Sequence, residues 1–480
     1  MVKVVDSVSG SGGHELIRIS ALELGKVLSG RVENDSGIDV TGSVETDSRL
    51  ITSGGIFFAK KGENEDGHSY VEDSKARGAV LAVVERIVDV EITQIVVANT
   101  LEALGELASW LIVQLKSHGS LKVVGITGSN GKTTTKNMLR EILSEVGTTI
   151  APIESFNNKV GAPMSILRAD LETEFLVVEM GAEGVGSIAY LARMAHPDVA
   201  AILKVGMAHA GVFGGIDNTA KIKAELAQEL SEDSVIFLNH DDPMVVPMSK
   251  RTKAKVKWFG TNSQSDFWAS DINLSMLGTS FHLNWPDGTS SPVQLSILGE
   301  HHVMNALAAA AVATELGASR EQVARALEKL ELAERWRMQR STNSKGVTVI
   351  NDAYNASPDS TKAALQTLAQ LGRLGSRTVA VLGEMAELGE YSIQEHDAIG
   401  RLVVRLNIDQ LVVVGEAAKL IHMGASQEGS WDGESRFFPS IDEALEYLRG
   451  ILTDGDTVLV KSSKSANLRF LGDQLMEADK

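Results

Sequence analysis

The sequence contains no cysteine. Disulfide staples and thiolate nucleophiles are thereby excluded, and any metal ion must be held by oxygen and imidazole ligands. No apolar run approaches the ~18 residues that would cross a bilayer. The first residues also lack a charged start followed by an apolar segment, so a cytoplasmic protein without membrane attachment is expected. Positive charge is scarce: 45 Lys and Arg stand against 63 Asp and Glu, a net of −18. With no basic run interleaved with aromatics, that excess would repel a phosphate backbone, so no nucleic-acid partner is expected. An anionic small substrate must instead meet local positive charge. Internal repeats and low-complexity tracts are missing as well.

What is present is ordinary globular material, 43% hydrophobic and 22% charged over 480 residues. That length exceeds what one core supports, since single cores stop growing near ~250–300 residues. Residues 1–14, rich in Ser, Gly and Val, are expected to form a loose extension. A small α/β unit follows, with a helix near 21–28 and strands near 56–59 and 80–85. From a helix at 101–115 onward, apolar strands at 122–126, 175–178, 199–203 and 235–238 alternate with helical stretches, and two helices near 305–316 and 320–330 close the block. Strands at 347–351, 378–382, 410–414 and 457–460 begin a third set. The alternation implies parallel, doubly wound sheets. The expected fold class is therefore α/β with three domains: a small N-terminal α/β domain (1–100), a central P-loop ATPase-like domain built on a parallel sheet (101–333) and a C-terminal Rossmann-like domain (334–480).

Between the strand at 122–126 and a helix at 134–143 stands Gly128-Ser129-Asn130-Gly131-Lys132-Thr133. Glycines let backbone N–H groups approach phosphate oxygens, Lys132 adds positive charge, and the Thr133 hydroxyl can ligate Mg²⁺. Only two residues separate the glycines, so this is a shortened form of the usual loop. The strand at 175–178 ends in Glu179, which puts a carboxylate at the carboxyl edge of the sheet, where ligands of such folds bind. His209 follows the strand at 199–203 in a Gly-rich stretch that can bring a side chain to bound phosphates. Lys221 and Lys223 open a helix whose Glu225 and Glu229 continue its polar surface. Composition places both lysines on the solvent face.

Several segments carry a more specific resemblance. They are Thr127-Gly128-Ser129-Asn130-Gly131-Lys132-Thr133-Thr134, Asn157-Asn158-Lys159-Val160-Gly161-Ala162-Pro163, Val178-Glu179-Met180-Gly181-Ala182, and Gly299-Glu300-His301-His302 through Asn305. With them stand Asn351-Asp352-Ala353-Tyr354-Asn355-Ala356-Ser357-Pro358-Asp359-Ser360 and Leu382-Gly383-Glu384-Met385-Ala386-Glu387-Leu388-Gly389. In this order the chain resembles the Mur ligases of peptidoglycan synthesis. The last two segments select the branch that adds D-alanyl-D-alanine to a UDP-N-acetylmuramoyl-tripeptide.

The resemblance implies an N-terminal domain that grips the UDP-sugar, a central ATPase domain, and a C-terminal domain that closes over ATP and receives the dipeptide. Gly128 to Thr134 would bind ATP. Carried over by position, Lys132 and Thr133 would hold the β/γ-phosphates and Mg²⁺, Glu179 and His209 would ligate metal, and Lys223 aligns with a lysine that the family carbamylates into a further metal ligand. Asn305 matches an adenine contact, Arg337 a hinge arginine directed at ATP, and Asp352 the ribose-side aspartate. Thr46, Asp47, Ser48, Arg49, Lys61 and Gly62 resemble the uridine-nucleotide site, and Tyr354, Asn355 and Ser357 the dipeptide pocket. A monomer is expected. Three departures stand out: His302 and Ser357 occupy positions where the family commonly has Asn, and Lys461-Ser462-Ser463-Lys464 lacks the expected Gly and Arg. A ligase adding an earlier stem-peptide residue or glutamate to folate, and a nucleotide-binding protein without ligase activity, are the rival readings.

Overall fold

The computed structural model describes residues 17–62, 65–152, 155–275, 277–330, 335–429 and 434–477. The expected N-terminal extension and the junction expected at 333/334 lie outside the described residues. Among those described, three main sheets and one short two-stranded pairing form.

The first main sheet runs in the order Arg31–Glu33, Thr93–Val96, Ala79–Val84, Gly55–Phe58, Val44–Glu45. Its last four strands are parallel and the first is an antiparallel edge. The Ala-Val-Leu-Ala-Val-Val run at 79–84 is almost wholly buried, as a strand covered on both faces must be. Asn99 then caps the helix Thr100–His118 by accepting from the N–H groups of Leu101 and Glu102. Its buried stripe of Ala103, Leu104, Leu107, Ala108, Leu111, Ile112 and Leu115 repeats at three- and four-residue spacing. Through that stripe one apolar cluster continues from Leu24 and Ile95 of the first sheet to Val123 and Leu176 of the second.

The central sheet has nine strands. Six parallel ones, from Thr149–Ile150 through Phe175–Glu179, Lys122–Thr127, Val199–Ile202 and Val235–Asn239 to Lys255–Gly260, carry the site. Successive side chains point to opposite faces. Val123, Leu176, Ala200 and Ile236 meet the helices Ser187–Ala195 and Ile216–Glu229, while Val124, Val177, Ala201 and Phe237 meet Lys132–Ser144 and His301–Glu315. The interior is dense: Leu139 of the phosphate-loop helix is fully buried, so Leu139→Ala would cost about 2–5 kcal/mol. The sheet continues through Phe267–Ser275, Gly278–Asn284 and Ser290–Leu295, the last two antiparallel. These strands and Lys255–Gly260 extend the sheet beyond the four expected from apolar runs. They lack such runs because only alternate side chains are covered along much of their length.

The third sheet orders Gln339–Thr342, Thr348–Asn351, Thr457–Lys461, Thr378–Leu382, Gln410–Val414, Ser435–Phe438, with all but the first parallel. The carboxyl ends of Thr348–Asn351, Thr378–Leu382 and Thr457–Lys461 deliver segments 352–357, 383–389 and 462–467 to a single edge. That edge faces the phosphate loop.

Candidate active site

The strand Lys122–Thr127 runs straight into the loop, and the helix Lys132–Ser144 starts at its end. Gly131 has φ +87°, and a Cβ there would collide with the side chain of Asn305, so the loop needs glycine both for conformation and for close approach. The buried Ser129 hydroxyl exchanges hydrogen bonds with Gly206, at 2.9 Å from its N–H and 3.3 Å from its carbonyl, which ties the loop to the stretch carrying His209. Lys132 folds back over the loop and donates to the Gly128 carbonyl at 2.8 Å. Enclosure pushes its ammonium below the usual lysine range; Glu179 opposes that shift and Arg337 adds to it.

Glu179 pairs in register with Ile126, one residue before the strand gives way to the loop. It is 1% exposed. One oxygen, Oε1, accepts from Asn157 Nδ2 at 2.7 Å and lies 3.4 Å from the Thr133 hydroxyl. The other, Oε2, is buried without a partner. A buried acceptor left in that state is costly unless something charged or protic is meant to meet it, and a divalent cation held jointly with the Thr133 hydroxyl fits. No group of three or more His, Asp or Glu side chains converges among the described residues, so such an ion would draw on the hydroxyl and on substrate oxygens, as small hard cations do. Asn157 carries no role from sequence beyond its motif; its part in fixing Glu179 is visible only here.

Lys223 contradicts the solvent-face reading. It is 2% exposed in the helix Ile216–Glu229. Burial holds its ammonium well below the ordinary lysine range, Lys132 pushes the same way, and Glu225 and Glu179 oppose. Glu225 is likewise inward, accepting from the N–H groups of Gly186, Ile188 and Ala189 at 2.7, 3.1 and 3.0 Å and so capping the neighbouring helix Ser187–Ala195. Lys221 is exposed, and Glu229 pairs with Arg193 at 2.6 Å. The helix turns one polar edge into the cleft and the other to water.

From the third sheet, Arg337 reaches Ser155 Oγ at 3.2 Å, beside Thr133, and stacks on Tyr354 with its guanidinium 4.2 Å from the ring centre. The backbone on either side of it is in the left-handed region, at Trp336 (φ +64°) and Met338 (φ +49°). Trp336 Nε1 is held by Asp473 at 3.0 Å. Asp352 accepts from the Met338 N–H at 3.0 Å and pairs with Lys461 at 2.5 Å. Ser357 is turned inward, capping the helix Pro358–Arg373 and donating to Asn130 Oδ1 at 3.2 Å; its hydroxyl is engaged with the phosphate loop. Asn355 is exposed, and Tyr354 is flanked by Lys464 at 5.6 Å. Asp359, to which sequence assigned no role, accepts from the Met207 N–H at 2.8 Å and lies 3.6 Å from Lys204. His209 hydrogen-bonds Glu387 through Nδ1. The central and C-terminal domains therefore meet around the loop.

His302 Nε2 is buried without a partner, while Nδ1 lies 3.4 Å from Asn305 Nδ2. Both His301 and His302 are held below the usual histidine range by burial, the former to about 4.

The segments at 46–49 and 61–62 stand apart from this cluster, at the carboxyl ends of the adjacent parallel strands Val44–Glu45 and Gly55–Phe58. Asp47 caps a short turn and is lowered to about 2, chiefly by its hydrogen bond from Arg49. Ser48 donates to Asp73 at 2.7 Å, and Gly62 closes on the Glu65 carbonyl at 2.8 Å. Arg168 of the central domain lies 3.5 Å from Glu45, just before Thr46.

Three family models match the chain: the Mur ligase family catalytic domain over 41–111, the Mur ligase middle domain over 126–313, and the Mur ligase glutamate ligase domain over 336–464. A UDP-N-acetylmuramoyl-tripeptide--D-alanyl-D-alanine ligase of Mycobacterium tuberculosis is 41% identical, covering 97% of this chain and 99% of its own. Among solved structures, a crystal structure of MurF from Acinetobacter baumannii superposes with TM-score 0.88 at 34% identity, covering 96% of this chain and 99% of that one. MurF ligase from Thermotoga maritima in complex with ADP gives TM-score 0.80 at 26% identity, over 91% and 97%.

Proposed function

Because the chain belongs to the Mur ligase family, we propose that its cleft uses ATP to join D-alanyl-D-alanine to the terminal carboxylate of a UDP-N-acetylmuramoyl-tripeptide, forming the pentapeptide precursor of peptidoglycan. The observation that carries the chemistry is the buried, unpartnered Oε2 of Glu179 beside the Thr133 hydroxyl and the Lys132 ammonium.

A carboxylate is a poor acyl donor because oxide is a bad leaving group. Transfer of the γ-phosphoryl of ATP to a carboxylate oxygen gives an acyl phosphate and ADP. The dipeptide amine then attacks the carbonyl carbon, the C–O bond to phosphate breaks, and the amine proton is lost as the amide forms. The loop N–H groups and Lys132 hold the phosphates, and Arg337 approaches them from the other domain. Glu179 and Thr133, with His209 and a carbamate on Lys223, would hold Mg²⁺, which supplies charge neutralisation between the nucleotide and the incoming carboxylate. A buried lysine pushed toward its neutral amine is the form that reacts with CO₂, which supports carbamylation. Asn305 and Asp352 serve the adenosine end, Tyr354, Asn355 and Ser357 the dipeptide, and residues 46–49 with Lys61 and Gly62 the uridine nucleotide. Contacts between the central and C-terminal domains align the reactants and exclude water that would hydrolyse the acyl phosphate. The reading is completed by a monomer at work in the cytoplasm; no helix among the described residues is long and apolar enough to cross a membrane.

The test is phosphate release from ATP. Release that requires both the tripeptide nucleotide and D-alanyl-D-alanine supports this reading; release with glutamate or a diamino acid in place of the dipeptide, or none at all, overturns it.

A further inference from the structure

The Leu-Gly-Glu-Met-Ala-Glu-Leu-Gly segment at 382–389 has no role in the chemistry above, yet it sends one side chain across the domain seam. Glu387 Oε2 hydrogen-bonds His209 Nδ1. Both residues are held in the left-handed region, Glu387 at φ +62° and His209 at φ +61°, a conformation that persists in non-glycine residues only where the surroundings dictate it. Those surroundings are the two domains themselves. Two residues before His209, the Met207 N–H donates to Asp359; two residues after it, Gly211 packs so tightly on the backbone of Leu388 and Gly389 that a Cβ would collide. On the Glu387 side, Ser463 anchors the segment by donating its N–H to the Glu384 carbonyl and accepting from the Ala386 N–H, each at 2.8 Å. Lys132 and Lys223 are both within electrostatic reach of the His209 ring.

A carboxylate on Nδ1 keeps the proton there and leaves the lone pair on Nε2, while fixing the ring plane. This is how outer carboxylates commonly prepare histidine for a metal ion. We propose that Glu387 is a positioning residue, delivered by the C-terminal domain, that orients His209 toward the divalent cation so that the metal site is complete only when the two domains meet. The proposal rests on the reading of His209 as a ligand given under the proposed function. It makes domain closure and metal affinity a single event: the open enzyme holds the ion weakly, and the closed one holds it with an oriented imidazole.

The test uses the full chain with a non-hydrolysable ATP analogue and Mn²⁺ as the probe, its binding followed by electron paramagnetic resonance. Glu387→Ala is expected to weaken Mn²⁺ binding about 10- to 100-fold, with thermal stability nearly unchanged because Glu387 is largely exposed. Glu387→Gln, whose amide oxygen can still accept from Nδ1, should fall between that variant and the parent. His209→Ala should lose at least as much, and His209→Ala with Glu387→Ala no more than His209→Ala alone. Normal Mn²⁺ affinity in Glu387→Ala beside weak binding in His209→Ala overturns the positioning role while leaving His209 a ligand. Normal affinity in both removes His209 from the metal, and this proposal with it.

Discussion

Lys461 Nζ lies 2.5 Å from Asp352 Oδ2, with the lysine side chain 2% exposed and the aspartate 16%. The same ammonium reaches the carbonyl oxygens of Asn355 at 3.1 Å and Asp352 at 3.4 Å. The pair thus pins segment 352–357, which carries both the expected ribose contact and the expected dipeptide pocket, to the end of the strand Thr457–Lys461. Removing one partner of a buried ion pair strands the other charge. Asp352→Ala should cost about 3–5 kcal/mol in urea unfolding, and the joint replacement Asp352→Leu with Lys461→Met distinctly less. Equal losses in the single and double variants would show that packing, not the stranded charge, sets the cost.

The Lys132 ammonium donates to the Gly128 carbonyl, a bond made within the loop itself. Lys132→Ala should therefore lower turnover about 10³-fold or more, the scale on which preorganised positive charge acts on a transferring phosphoryl group, while the melting temperature stays within a few degrees of the parent. Turnover at parental levels would remove Lys132 from the chemistry.

For Lys223 the sign of the pH effect follows from the reaction of its free amine with CO₂, which releases a proton. Carbamate formation is favoured as pH rises, and burial, which holds this ammonium well below the ordinary lysine range, favours the neutral amine in the same direction. Activity should fall in CO₂-free buffer, more steeply at pH 6 than at pH 8, and return with bicarbonate. Lys223→Ala should be inactive and regain part of its rate with added short carboxylates. Full rate in Lys223→Ala without any rescue would refute the carbamate.

Glu45 makes a different pH prediction. Desolvation raises its carboxyl from the ordinary 4.5 to about 7, Arg168 opposing and Asp47 assisting. Between those values the folded protein holds a proton that the unfolded chain has released, so stability falls as pH rises through the window and stays lower above it. The loss amounts to about 3 kcal/mol at most, at 1.36 kcal/mol per unit. Glu45→Gln should flatten that fall, seen as urea midpoints that differ less between pH 5 and pH 8. An unchanged difference would place the titrating group elsewhere.

How far the chain could be read before folding depends on the range of the interaction. The phosphate loop is legible because strand, glycine turn and helix are contiguous, and the backbone geometry of Gly131 is a local demand. Parallel strands buried on both faces, such as Lys122–Thr127, Phe175–Glu179 and Thr378–Leu382, are legible because that burial writes them as unbroken apolar runs. The strands between Lys255 and Leu295 are not, since polar residues interrupt them and a half-covered strand carries a weaker signal than an unbroken apolar run. The family resemblance, carried by motifs strung in order, supplied roles for Lys223, Arg337 and Asp352 that their local patterns did not.

By itself, then, the sequence determined the three-part α/β build and the place of the phosphate cleft, because both follow from periodicity and short-range backbone chemistry. Only the tertiary structure decided that Lys223 and Glu225 face inward, since a polar helix edge reads the same whether it meets water or a charged cleft. It alone joined His209 to Glu387 across 178 positions and Met207 to Asp359 across 152. Contacts at such separations arise from how sheets dock, and no local pattern of residues encodes them.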